Sequence, residues 1–206
     1  SAQRIELQPQ AHGYWQAQTE RLPHGTLYWL EVDGRRLPDP ASRCQPQGVH
    51  GPSMVVDVQA ATSPGWAGVK IDDAIIYELH VGTFTPEGTL AAALTRLPHL
   101  RDLGINVVEL MPLAAFPGER NWGYDGTFQF APQHSCGDHR DLKTFIEAAH
   151  RDGIAVLLDV VYNHFGPEGN YLHRYAPDFF NPRHQTPWGD GVNYDGPGSE
   201  VVRAFM

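Results

Sequence analysis

Apolar residues in the second half of the chain occur in short continuous runs, and each run ends in a glycine or in polar residues. The clearest run extends from Ile154 to Val161 and is followed by Asn163 and His164. Short β-branched runs bounded by glycine are typical of strands that a parallel sheet buries on both faces. We therefore predict a buried strand whose carboxyl end carries the polar side chains of a site.

Strands and helices alternate over this half of the chain. The pattern predicts strands over residues 74–81, 105–111 and 154–161, and helices over residues 89–103 and 138–151. Thr89 and Asp138 are suited to cap the starts of the two helices, and Gly104 and Gly153 are suited to end them. Pro98 should kink the first helix. The order β-α-β-α-β predicts a parallel sheet.

The first third of the chain has a different pattern, with short alternating stretches separated by turns. Strands are predicted over residues 4–7, 26–32 and 54–58, and Asp33-Gly34 is a strong hairpin signal. We predict a small β domain over residues 1–60, a linker rich in proline, glycine and small residues over 61–70, and an α/β domain over 71–206.

Composition and charge restrict the class of partner. The 206 residues are 41% hydrophobic and carry a formal net charge of -9, which disfavours a nucleic-acid partner. Eight Tyr, five Trp and nine Phe offer aromatic faces that suit sugar rings. Two cysteines, no long apolar stretch and no signal-peptide core predict a cytoplasmic protein with neither a disulfide framework nor a membrane partner.

Six short motifs carry a resemblance to a known family. In order along the chain they are YELHVGTFTPEGT (77–89), ELMP (109–112), FPG (116–118), NWGYD (121–125), DVVYNH (159–164) and GPEGNY (166–171). With DPASR (39–43) and GVHGPS (48–53), they resemble the amino-terminal segment of α-amylase superfamily glycoside hydrolases. Within the superfamily, they are most similar to the subfamily that releases trehalose from maltooligosyl trehalose.

The resemblance implies a β-sandwich module followed by the first three β/α units of an incomplete (β/α)8 TIM barrel. It also implies hydrolysis of α-1,4-glucans with retention, which requires two carboxyl groups close together. In this family the nucleophile, the acid and a stabilising Asp lie on the fourth, fifth and seventh strands, all beyond residue 206. We therefore assign no catalytic residue here, expect the isolated chain to be inactive, and expect the same protein to supply the remainder of the barrel.

The resemblance also assigns site residues. His164 is expected to hydrogen-bond the glucosyl unit beside the scissile bond, Tyr124 to stack beneath that sugar, and Asp159 to pair with an arginine of the fourth strand. Asn163 corresponds to a calcium ligand of other amylases, but this subfamily is regarded as metal-free, so Asn163 is expected to orient its neighbours. Asp125 and Glu168 are plausible supporting carboxylates. Neither a cofactor nor a metal is expected.

Other interpretations remain open at this stage. Asp159, His164 and Tyr124 are also compatible with ordinary roles in a core or loop. The enzyme could be a glycogen branching or debranching enzyme, or the chain could be a non-catalytic glucan-binding piece. A metallohydrolase built on Asp159 and His164 is a further alternative, which elemental analysis would test.

Overall fold

The amino-terminal part of the chain forms short antiparallel strand pairs. The structure, a computed structural model, describes residues 4–57 and 61–206. The strands of this part are β1 Gln8–Pro9, β2 Trp15–Gln16, β3 Leu27–Tyr28, β4 Leu30–Val32, β5 Arg35–Leu37 and β6 Ser53–Met54. β1 pairs with β2, β3 with β6, and β4 with β5.

The predicted hairpin at Asp33-Gly34 is confirmed. Val32 and Arg35 are direct partners in the β4–β5 pair, and the two turn residues have φ angles of 50° and 74°. Positive φ at both central positions matches the right-handed twist of the flanking strands.

The predicted strand boundaries in this part are less accurate. Residues 4–7 lie outside any strand, and the stretch 26–32 is interrupted at Trp29 between β3 and β4. Of the predicted strand over 54–58, Met54 lies in β6, Val58 lies outside the described residues, and the positions between them are not in a strand. Among the described residues before position 58 the sheets have two strands each, so the β-sandwich stays a prediction.

The second part of the chain contains longer elements. In chain order they are β7 Ile76–Leu79, α1 Val81–Phe84, α2 Leu90–Leu94, α3 Leu97–Asp102, β8 Val107–Leu110, β9 Ala114–Ala115, β10 Phe128–Pro132, α4 His139–Arg151, β11 Ala155–Leu158, α5 Leu172–Tyr175, β12 Phe180–Thr186, β13 Gly189–Val192 and α6 Ser199–Phe205. A short 3-10 turn precedes β7 at Ile71–Asp73, and another lies between α5 and β12 at Pro177–Phe179.

A three-stranded parallel sheet in the order β11-β8-β7 is the centre of this part, as the alternating pattern predicts. The strands pair without a register shift, so that Leu79, Leu110 and Leu158 lie in one row at the carboxyl ends. The loops that follow the strands therefore leave the sheet at the same level.

The helices bury one face of this sheet. Side chains of α2, α3 and α4 pack with those of the strands in one cluster of buried residues, which includes Leu90, Leu97, Leu100, Val108, Leu110, Phe145 and Ala149. Full burial of each large apolar side chain contributes about 1.5–3 kcal/mol. The prediction that the strand β11 is buried on both faces is wrong, because β11 lies at the edge of the described sheet and its Leu157 and Leu158 are 46% and 48% exposed.

The first predicted helix is two helices. A single kinked helix over 89–103 is wrong, because α2 ends at Leu94 and α3 begins at Leu97. Pro98 lies in the first turn of α3, where its missing N–H has no helical partner to lose. Thr89 caps α2 as predicted, since its side chain accepts a hydrogen bond from the Ala92 N–H.

The start of α4 has a complete capping box. The Asp138 carboxylate accepts hydrogen bonds from the N–H groups of Arg140 (2.7 Å) and Asp141 (3.1 Å), and the Asp141 carboxylate accepts from the Asp138 N–H (2.9 Å). The reciprocal bonds satisfy donors that a helix start leaves free. Gly153 follows the helix with φ 77°, as predicted.

The predicted linker lies against α4. Residues 61–70 contain no strand or helix. Thr62 donates to Glu147 through its N–H (2.8 Å), Ser63 bonds to His150 (2.7 Å), and the Trp66 ring stacks on His150 at 4.4 Å. Hydrogen bonds from Lys143 and Thr62 lower the pKa of Glu147 to about 2.

Two antiparallel pairs were missed by the sequence patterns. β9 pairs with β10, and β12 pairs with β13 in a hairpin. The hairpin packs with Phe165, Phe179 and Val202 in a second buried cluster, which supports the loop after β11. None of the helices in the described ranges is long and apolar enough to cross a membrane.

Removal of the α4 cap is expected to destabilise the fold. In the full-length protein, Asp138→Ala should lower the free energy of unfolding by about 1 kcal/mol, whereas Asp138→Asn should keep most of it. Urea denaturation measures both changes. Glu119→Ala, at an exposed loop position, is the control. Equal stability of all three variants would show that the capping box is not formed.

Candidate functional site

The candidate site lies where the loops leave the carboxyl ends of the parallel strands. Asp159 directly follows β11, and its N–H donates to the Leu110 carbonyl of β8 at 2.9 Å. Glu78 of β7 and Glu109 of β8 are register partners on the sheet face opposite the helices. Tyr124 reaches this edge from residues 121–127, the last part of the connection between β9 and β10, which we call the Tyr124 loop.

A hydrogen bond joins Tyr124 to Asp159. The phenol donates to the carboxylate at 3.0 Å, while the Tyr124 side chain stays 39% exposed. The hydrogen bond to Asp159 raises the pKa of Tyr124, and the charges of Glu78 and Glu109 add to this shift. A strand-end carboxylate and an accessible aromatic ring are thus held together.

Two glycines allow the Tyr124 loop to lie close to its neighbours. Gly123 has φ 98°, and a Cβ atom there would be 2.1 Å from the Pro112 carbonyl oxygen. A Cβ atom at Gly166 would be 2.2 Å from the Asp125 carbonyl oxygen. The loop is therefore packed between the segment after β8 and the segment after β11, at distances that only glycine permits.

His164 is buried beneath the loop, with 6% of its surface exposed. Its Nε2 donates to the Tyr124 carbonyl at 3.1 Å, because a carbonyl can only accept. Its Nδ1 lies 3.2 Å from the Asn163 Oδ1. Both ring nitrogens thus face protein oxygens, and the His164 ring lies between the Tyr124 carbonyl and Asn163. The expected sugar contact of His164 stays a prediction.

Asn163 and Asp125 are part of the same arrangement. Asn163 lies beside the His164 ring, and its expected hydrogen-bonding role stays a prediction. Asp125 accepts a hydrogen bond from the Asn121 side chain at 2.5 Å. Its carboxylate supports the Tyr124 loop.

Trp188 is an aromatic neighbour that sequence reasoning missed. It lies in the turn between β12 and β13, is 62% exposed, and its ring centre is 6.2 Å from that of His164. An isolated bridge between His164 and Gly191 connects the hairpin to the loop after β11. Pro187-Trp188-Gly189 is a recognisable turn sequence, but nothing in it indicates which surface the turn meets.

Glu168 lies in a different network. Its carboxylate is 3.2 Å from His50 Nε2, and His50 Nδ1 is 2.7 Å from the Tyr171 hydroxyl. The described contacts of Glu168 thus connect the loop after β11 to the amino-terminal part of the chain. None of these contacts joins it to Tyr124 or Asp159, and the expected supporting role of Glu168 stays a prediction.

The site is acidic. Among the ion pairs between described residues, none involves Glu78, Glu109 or Asp159. Sequence reasoning assigned no role to Glu78 or Glu109, although their position at the ends of predicted strands was a usable signal. A search of residues 4–57 and 61–206 finds no group of three His, Cys, Asp or Glu side chains arranged to hold a metal.

The fold and the site define an α/β protein with a polar, aromatic-lined site at the carboxyl ends of parallel strands, as in α/β-barrel enzymes. Residues 43–190 match the α-amylase catalytic domain. The chain therefore belongs to the α-amylase family.

Known relatives refine this placement. The chain is 50% identical over 175 residues to a malto-oligosyltrehalose trehalohydrolase of Deinococcus radiodurans, covering 84% of the chain and 29% of the relative. A 1,4-α-glucan branching enzyme of Oleidesulfovibrio alaskensis is 31% identical over 225 residues, with coverage of 94% and 34%.

A solved structure agrees with the fold. A crystal structure from Salmonella typhimurium superposes with a TM-score of 0.93 at 47% identity, covering 98% of this chain and 35% of that chain. The chain spans about a third of the length of the curated relatives that it matches.

A matched pair of glycine variants tests the close packing of the Tyr124 loop. Gly123 and Gly118 both have positive φ, but a Cβ atom at Gly118 would meet nothing within 4 Å. Gly118→Ala should therefore cost about 1 kcal/mol of stability from backbone strain alone, and Gly123→Ala about 3 kcal/mol or more because of the added steric clash. Thermal unfolding of the full-length protein measures the difference. Equal losses would contradict the contact with Pro112.

Proposed function

We propose that the full-length protein is a glycoside hydrolase that releases trehalose from maltooligosyl trehalose with retention at the anomeric carbon. Three findings support this proposal: the α-amylase family match, the high identity to trehalohydrolases, and the sugar-compatible site. The observation that carries it is the placement of the exposed Tyr124 ring directly beside Asp159 at the strand ends.

The residues of the site are suited to bind a neutral sugar. A flat aromatic face packs against the C–H groups of a pyranose ring, and carboxylates accept hydrogen bonds from its hydroxyl groups. We propose that Tyr124 stacks under one glucosyl unit and that Trp188 contacts a neighbouring unit. His164 and Asn163 then keep the Tyr124 loop in place. We also propose that His164 hydrogen-bonds the sugar directly.

In this proposal, no residue of this chain is assigned to bond cleavage. Asp159 holds the Tyr124 phenol, and we assign it the role of supporting the site rather than attacking the sugar. Further strands would cover the exposed side chains of β11, and a cation from them would neutralise Glu78, Glu109 and Asp159, whose charges are otherwise costly to enclose.

Product analysis tests the proposal. Incubation of the full-length protein with maltooligosyl trehalose should release free trehalose and a shorter glucan, measured by chromatography. Tyr124→Ala should lower kcat/KM about tenfold to a hundredfold, because stacking and alignment of the sugar are lost. Tyr14→Ala, at an exposed tyrosine of the amino-terminal part, is the matched control.

An unchanged kcat/KM of Tyr124→Ala would show that the sugar binds away from Tyr124. Absence of free trehalose among the products would show that maltooligosyl trehalose is not the substrate.

The second candidate is a glycogen branching enzyme, which the similarity to the Oleidesulfovibrio alaskensis relative favours. The same incubation separates the two, since branching activity would produce branched glucan from a linear chain without free trehalose. The higher identity to the trehalohydrolases supports the first candidate.

A further inference from the structure

The Tyr124 ring is held by a hydrogen bond at its hydroxyl and by the main chain that carries it. The phenol contacts Asp159 only at its tip, and the ring itself is substantially exposed. The loop that carries it, residues 121–127, contains no helix or strand. Contacts that hold the residues on either side of Tyr124 therefore contribute to where the ring face points.

Asn121 makes such contacts on both sides of Tyr124. Its Oδ1 accepts a hydrogen bond from the Gly123 N–H at 2.7 Å, and its Nδ2 donates to the Asp125 carboxylate at 2.5 Å. One amide side chain thus closes the turn over the residue before Tyr124 and the residue after it. An amide is suited to this role because it offers both an acceptor and donors.

His80 fixes Asn121 to the sheet. His80 directly follows β7, and its Nε2 donates to the Asn121 carbonyl at 2.9 Å. With the proton on Nε2, the Nδ1 atom accepts from the Thr83 hydroxyl, which lies 2.9 Å away. The chain of bonds therefore runs from the carboxyl end of β7 through His80 and Asn121 to Gly123 and Asp125, the two residues that flank Tyr124.

We propose that Asn121 is a positioning residue for the sugar site: anchored by His80, its side chain holds the Tyr124 ring in the direction that stacking on a glucosyl unit requires. This inference rests on the proposed function, because it acts through a Tyr124–sugar contact. It goes beyond that function by assigning a role to two residues that do not themselves face Asp159.

A double-mutant cycle in the full-length protein tests the inference. Asn121→Ala should lower kcat/KM for maltooligosyl trehalose about tenfold, since a small displacement of a positioning group is costly. In a Tyr124→Ala background the same substitution should cost less than twofold, because the group that it positions is already absent. Asn170→Ala is the matched control, since the Asn170 side chain also accepts from a backbone N–H two residues on (Leu172, 3.1 Å) but lies outside the Tyr124 loop.

An exchange of the two side chains keeps the test informative if Asn121→Ala does not fold. Asn121→Asp alone should place two carboxylates opposite each other and lower kcat/KM. The double variant Asn121→Asp/Asp125→Asn restores a donor opposite an acceptor and keeps an acceptor for the Gly123 N–H. It should therefore recover most of the lost activity.

The outcomes separate this inference from the proposed function. If Tyr124→Ala lowers kcat/KM but Asn121→Ala costs the same factor with and without Tyr124, Asn121 is merely structural and the inference is overturned. Failure of the exchanged pair to recover activity would overturn it as well. If Tyr124→Ala itself has no effect, the proposed site is wrong and the inference falls with it.

Discussion

The parallel register of β7, β8 and β11 is the constraint on which the site depends. Because Leu79, Leu110 and Leu158 are direct neighbours, the three strands end at one level and their following loops meet above one edge of the sheet. The buried leucines of α2 and α3 and Phe145 of α4 stabilise that register by packing on the sheet face opposite Glu78 and Glu109. A slip of one residue would turn every side chain of a strand to the other face and move Glu78, Glu109 and Asp159 away from Tyr124.

Close packing of the Tyr124 loop against this edge of the sheet then forms the candidate site. Gly123 and Gly166 bring the Tyr124 loop within contact of its neighbours, and the buried His164 holds the Tyr124 carbonyl from below. The result is an aromatic ring that is fixed at its backbone and at its hydroxyl but remains accessible on its face. Such prior ordering lowers the conformational entropy that the loop itself must lose when a ligand binds.

The sequence predicts the strongly patterned parts of this structure well. The three parallel strands, α4 with its Asp138 cap and the Asp33-Gly34 hairpin follow from local periodicity and turn chemistry. It does not predict the break between α2 and α3, where Thr95 and Arg96 form a turn. Family resemblance brought Tyr124, Asp159, Asn163 and His164 together. It could not show that His164 bonds to the Tyr124 carbonyl or that Glu168 bonds to His50, because both depend on how distant loops pack.

A crystal structure of the full-length protein with a bound maltooligosaccharide would show whether the sugar lies on Tyr124. We predict a glucosyl ring in van der Waals contact with the face of Tyr124, with the hydrogen bond from its hydroxyl to Asp159 intact. A glucan bound away from this edge, or a Tyr124 ring that turns from Asp159 when sugar binds, would contradict the account.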